Sequence, residues 1–173
     1  MKQTRRENLV FLGGAASAIL TPLGASAGDT VEVEGAVVHE VQMLNKHPDN
    51  SRERQVFVPD IVRAKVGDTI KFVTVDKGHN SESSKKGIPA GAEAWRGKIN
   101  ADVEYVIKVE GAYLYNCKPH RTAGMVGLLL VGDVSGNYEE VKKSRFRGKE
   151  RKRYEDIFAR ADEILATEAA GSS

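Results

Sequence analysis

Cys117, the only cysteine in the chain, lies in the stretch YNCKPHRTAGM (115–125), where His120 and Met125 follow it. A thiol, an imidazole and a thioether this close together permit two kinds of chemistry. Cys117 could act as a nucleophile with His120 as its base, or all three side chains could serve one metal ion. A nucleophile has no use for Met125, and no third group stands ready to orient the base. A structural zinc site would favour more cysteines or histidines in a closed tetrahedron. Thiolate, thioether and imidazole suit copper and exclude magnesium and calcium. Two imidazoles and a thiolate in a plane, with a weak axial methionine, form an electron-transfer copper site. That scheme calls for a second histidine.

The chain offers His39, His47 and His79 besides His120. His79, in VDKGHN, sits in a loop directly after a strand-like segment, where a folded sheet can return it to the 117–125 loop. His39 falls inside a predicted strand and His47 precedes Pro48 in a polar turn, so both read as ordinary surface or strand histidines. Within the loop, Pro119 fixes φ and Gly124 permits close approach. A copper-delivery protein could use the same ligands at a more open site, and it is the alternative to an electron carrier.

The elements that must position these residues read as short β-strands between turns. Candidates are 37–44, 57–66 (with Pro59 at an edge or bend), 69–75, 102–109, 112–117 and 125–131. Many short strands separated by Gly, Asp and Pro predict a mainly β fold, a β-sandwich. Residues 80–97 show no strand pattern and predict a long surface loop with one helical turn around 92–95. After Gly136 the period changes. Residues 137–144 can start a helix with Asn137 as N-cap. Tyr154, Ile157, Phe158, Ala161, Ile164 and Leu165 then recur at helical spacing, giving an apolar face that must pack on the sandwich. The predicted organisation is an N-terminal extension over 28–39, a sandwich over 40–135, a helical hairpin over 136–168 and a loose tail at 169–173. The charged run 142–153 reads as the solvated surface of that hairpin.

Residues 1–27 read as a cleaved export signal. They combine a basic start, an apolar stretch from Leu9 to Leu20 and the small-residue ending Ala25-Ser26-Ala27. Adjacent Arg5 and Arg6 in TRRENLV point to the twin-arginine type. The apolar run is short and interrupted by Gly13 and Gly14, so no membrane anchor is expected. Cleavage after Ala27 removes three basic residues and one acidic one, and the chain's 26 Lys+Arg and 24 Asp+Glu then become equal. Nothing in that balance points to nucleic acid. A lone thiol in an oxidising compartment is a liability unless buried or metal-bound.

VDKGHN followed by C-x2-H-x4-M resembles the cupredoxin family, and IPAGAEAW, MVGLLLVGD and the helical tail narrow the likeness to the pseudoazurin branch. The resemblance covers residues 40–168. KHPDNSRERQ (46–55) departs from it, being longer and more charged than the family's turn. The resemblance implies a Greek-key sandwich with a C-terminal pair of helices, holding one type 1 copper ion on His79, Cys117, His120 and Met125. It implies that Asn80 hydrogen-bonds across to the 117–125 loop and braces it. It also implies that the His120 ring edge reaches the surface within an apolar patch of Pro119 with Ile88 or Pro89. Lys77, Lys85, Lys86, Lys118 and Arg121 would steer acidic partners to that patch, while Arg96 and Lys98 read equally as scattered solubilising residues. The function implied is that of a periplasmic electron carrier, not an enzyme, working as a monomer. Its partners would be a cytochrome c donor and a copper nitrite reductase or another denitrification reductase.

Overall fold

The structure, a computed structural model, describes residues 35–171. The expected signal peptide, residues 28–34 of the extension and the last two residues lie outside it. Two four-stranded sheets face each other. The first has the order β2-β1-β4-β6, with β1 Val38–Lys46, β2 Arg54–Val58, β4 Thr69–Thr74 and β6 Val103–Val106. The second has the order β3-β8-β7-β5, with β3 Ile61–Ala64, β5 Glu82–Ser83, β7 Gly111–Asn116 and β8 Val126–Val131. Both sheets are mixed: β1 runs parallel to β4 and β3 parallel to β8, while the remaining pairs are antiparallel.

Every residue of β7 and β8 is buried, because their sheet is covered on both faces. Tyr113, Tyr115, Leu129 and Val131 point into the core between the sheets, among Phe57, Phe72 and Trp95. Their sequence neighbours Ala112, Leu114, Leu128 and Leu130 point the other way, onto the helices. The strand period of two thus serves two apolar layers.

The helices are α1 Tyr138–Lys142 and α2 Gly148–Gly171. Tyr154, Ile157, Phe158 and Ala161 form the buried face of α2, each large side chain contributing about 1.5–3 kcal/mol by leaving water. The Tyr154 hydroxyl donates to the Tyr115 carbonyl at 3.1 Å, and Arg160 grips Asp60 through two bonds of 3.0 and 2.7 Å. The helix is thereby fixed to the sheet that leads to Cys117.

Several expectations need correction. The segment 57–66 is two strands in different sheets, since the chain turns at Pro59 and Asp60 and crosses the sandwich. The first sheet already begins at Val38, inside the stretch expected to be an extension, where Val38 and His39 pair with Thr69 and Ile70. Residues 80–97 are not simply a surface loop. They contain β5, and no helical turn forms around 92–95. Trp95 lies instead in the core, stacked on Phe72 with ring centroids 5.7 Å apart, and its indole N–H donates to Ser81 Oγ at 3.0 Å. The burial available to the indole outweighs the polar character of its surroundings in sequence. Asn137 occupies the N-cap position of α1 but makes no side-chain cap bond. Its amide spans both backbone groups of Ala112 at 2.8 Å each, tying the helix start to β7. Helix α2 continues through Gly171, into the stretch expected to be loose. His39 lies within β1 as expected, and its Nε2 is 2.8 Å from buried Asp68 Oδ2.

Candidate metal centre

The short strand β5 pairs with β7 so that Glu82 faces Asn116. That register sets His79, just before β5, opposite Cys117, just after β7. From Cys117 the chain makes a tight loop. The His120 N–H donates to the Cys117 carbonyl at 3.1 Å, Met125 N–H to His120 O at 3.1 Å, and Cys117 N–H to Met125 O at 3.0 Å. A 3-10 turn at Arg121–Ala123 ends at Gly124, whose φ of 93° is the left-handed conformation open to glycine. A Cβ there would also stand 3.2 Å from the Lys149 carbonyl, because the loop packs on the start of α2.

The result is a triangle of donor atoms. His79 Nδ1 and His120 Nδ1 are 3.1 Å apart, and Cys117 Sγ lies 3.8 Å from the first and 3.5 Å from the second. The point equidistant from all three is inside the triangle and about 2.0 Å from each corner, close to metal–imidazole and slightly under metal–thiolate bond lengths. Among the described residues these three are the one group of His, Cys, Asp and Glu side chains arranged to hold a metal ion. Two imidazoles and a thiol suit copper. His79 and Cys117 are fully buried and His120 is half-buried. Met125 is also fully buried, in the same core cluster as Cys117.

Burial, and then the neighbouring His120, push the His79 imidazole below its ordinary pKa, keeping it neutral with a lone pair to give. Burial pushes the Cys117 thiol up, against the backbone N–H groups of Asn80 and His120, which pull it down. A cation entering the triangle must therefore displace the thiol proton.

Two asparagines hold the frame. Asn80 Oδ1 accepts the Lys118 N–H at 2.8 Å, and its Nδ2 donates to Gly97 O at 3.1 Å. Asn45 Oδ1 lies 3.0 Å from His79 Nε2. With Nε2–H donating to Asn45, Nδ1 is left free to face the triangle. Sequence reasoning missed Asn45, which lies 34 residues before His79. It lies near the end of β1, the parallel neighbour of β4 from which His79 emerges, and only that pairing brings the two together.

Around the ligands, Lys77, Lys118, Pro119 and Arg121 are exposed. Gly78 lies against the His120 ring, its missing Cβ falling 3.9 Å from Cε1. Arg121 turns toward Glu150 of α2 at 3.6 Å. Lys85 and Lys86 are exposed on the turn closed by the Gly87 N–H to Ser84 O bond. Arg96 is held by Glu82 at 3.1 Å, and Lys98 is exposed. Ile88 and Pro89 do not form an exposed patch: Ile88 packs against the core and Pro89 is buried beside Gly111.

Comparison with known proteins agrees with this geometry. The family model for copper binding proteins of the plastocyanin/azurin family matches residues 41–132. Pseudoazurin from Paracoccus pantotrophus is 39% identical over 127 residues, spanning 73% of this chain and 86% of that protein. The crystal structure of pseudoazurin from Methylobacterium extorquens AM1 superposes with a TM-score of 0.67 at 37% identity, covering 72% of this chain and 98% of that one. Pseudoazurin from Hyphomicrobium denitrificans gives the same TM-score at 35% identity, covering 71% and 97%. The chain belongs to the plastocyanin/azurin family of copper-binding proteins, in its pseudoazurin branch.

Proposed function

We propose that this chain is a periplasmic one-electron carrier in which His79, Cys117, His120 and Met125 would hold one copper ion. The observation that carries this reading is the buried triangle of one sulfur and two Nδ1 atoms, with sides of 3.1, 3.5 and 3.8 Å. Copper bound there would gain and lose a single electron. The protein's part is to keep the ligands still. Asn45 fixes the His79 tautomer, and Asn80 fixes the loop through the Lys118 amide. His120, half-buried beside exposed Pro119, is the ligand placed to pass the electron outward.

Lys77, Lys118 and Arg121 flank this exit, with Lys85 and Lys86 further along the surface, and would draw in acidic partners. A c-type cytochrome as donor and a copper nitrite reductase or another periplasmic reductase as acceptor fit that role, with the chain acting as a monomer. Export follows from the signal read in residues 1–27, and no described helix is long and apolar enough to cross a membrane.

The test is a visible spectrum of the mature, copper-loaded, oxidised protein with metal content on the same sample. A blue or green colour bleached by ascorbate, with one copper per chain, supports the carrier. A colourless protein holding zinc, or copper only as Cu(I), overturns it in favour of a structural or metal-delivery role.

A further inference from the structure

Beside the ligand loop, where α2 begins, lies an open groove of about 970 Å³. Its walls are the charged turn that departs from the family pattern, the ligand loop at Ala123 and Gly124, and the first turns of α2. Its two acids are already engaged. Glu53 is paired with Arg153 and accepts from Asn50 at 2.9 Å, and Asp156 is bound by Arg160 at 3.0–3.1 Å. Burial raises the Glu53 carboxyl, but the bond and charge of Arg153, with the His47 charge and the Asn50 bond, together outweigh it and hold the group below its usual range, so Glu53 stays ionised and committed to that pair. That leaves Arg52, Arg54, Lys149 and Lys152, all exposed on the groove walls and none in an ion pair among the described residues. Four uncompensated cations line one concavity on a molecule whose mature charge is balanced.

The four do not converge on a point. Two come from the turn and β2, and two lie three residues apart on α2, facing them across an open groove. That layout suits a string of carboxylates better than one compact anion. We propose that the groove docks an acidic peptide segment of a redox partner, a second point of attachment beside the face around His120. The proposal rests on the electron-carrier reading. The groove is also lined by Asn45, which bonds His79, and by Gly124, which neighbours Met125. A segment held there lies against the ligand frame itself and fixes the rotation of a partner that the exit lysines alone would leave free.

The experiment titrates the reduced, copper-loaded, isotope-labelled protein with a short polyglutamate peptide and follows backbone amide shifts. Saturable shifts at Arg52–Gln55, Lys149 and Lys152 are expected. Combining R52E and R54E with K149E and K152E should weaken binding at least about tenfold, the neutral R52Q/R54Q pair should weaken it less, and K108E, at an exposed lysine outside the groove, should change it less than about twofold. Shifts centred on Lys77 and Lys118, or spread without saturation over every lysine, would overturn the proposal. So would inorganic phosphate saturating the same amides as tightly, or an oligonucleotide displacing the peptide. The oxidised spectrum of each variant separates the two readings. An unaltered colour with no peptide at the groove removes this proposal alone, and peptide binding by a protein without colour removes the carrier.

Discussion

Asn80 Oδ1 accepts the backbone N–H of Lys118 at 2.8 Å, so the residue after one metal ligand holds the residue after another. With its Nδ2 on Gly97 O at 3.1 Å, Asn80 ties together the two loops that carry His79 and Cys117. It is 2% exposed.

Replacing Asn80 with Ala leaves the Lys118 amide and the Gly97 carbonyl without their partner. Copper affinity should fall about 10–100-fold, the usual cost of losing a group that orients a ligand. Competition with a chelator measures it. An unchanged affinity would make Asn80 a turn residue only.

Met125→Gln tests whether the thioether would contact the copper. The harder amide oxygen favours Cu(II), so the reduction potential should fall while copper stays bound. Voltammetry with the visible spectrum reads both, and an unmoved potential would remove Met125 from the metal's surroundings.

The exit lysines predict a salt signature. The double change K77E/K118E should slow electron delivery to an acidic acceptor about tenfold at low ionic strength, leave the visible spectrum unaltered, and lose its effect as salt is added. Stopped-flow rates across a salt series decide, because slowing that is equal at all ionic strengths would exclude steering.

Asp68 predicts an acid limb of stability. Its buried carboxylate accepts from His39 at 2.8 Å, from Val37 N–H at 2.9 Å and from Lys65 N–H at 3.0 Å. Burial opposes the charge, but these bonds outweigh it and hold the pKa below the ordinary value. The unfolded chain therefore takes up this proton first as pH falls. The stabilisation is complete above about pH 4 and is lost as pH drops through the folded pKa. Asp68→Asn should cost about 1–3 kcal/mol at pH 7 and flatten the pH dependence below 4, measured by denaturant unfolding. An unchanged acid limb would assign it to other carboxylates.

The sequence by itself determined the ligand types, their order and the elements carrying them. Cys117, His120 and Met125 are close in the chain, so their spacing is a local property. The strands 69–75, 112–117 and 125–131 and the apolar face of α2 have periods that can be read without a partner. Tertiary structure decided what depends on pairing between distant segments. The crossing between sheets at Pro59 and Asp60, the inward turn of Trp95 with Pro89, and the meeting of Asn45 with His79 have no local signal, because each is fixed by strand register and shared burial. Asn137 shows the same limit: its type predicted a cap, but the open backbone of Ala112 was the nearer partner. The charged turn 46–55 looked like a surface variation in sequence. Only packing against the ligand loop and α2 turned it into a wall of a groove beside the metal centre, since a concavity belongs to the elements that enclose it.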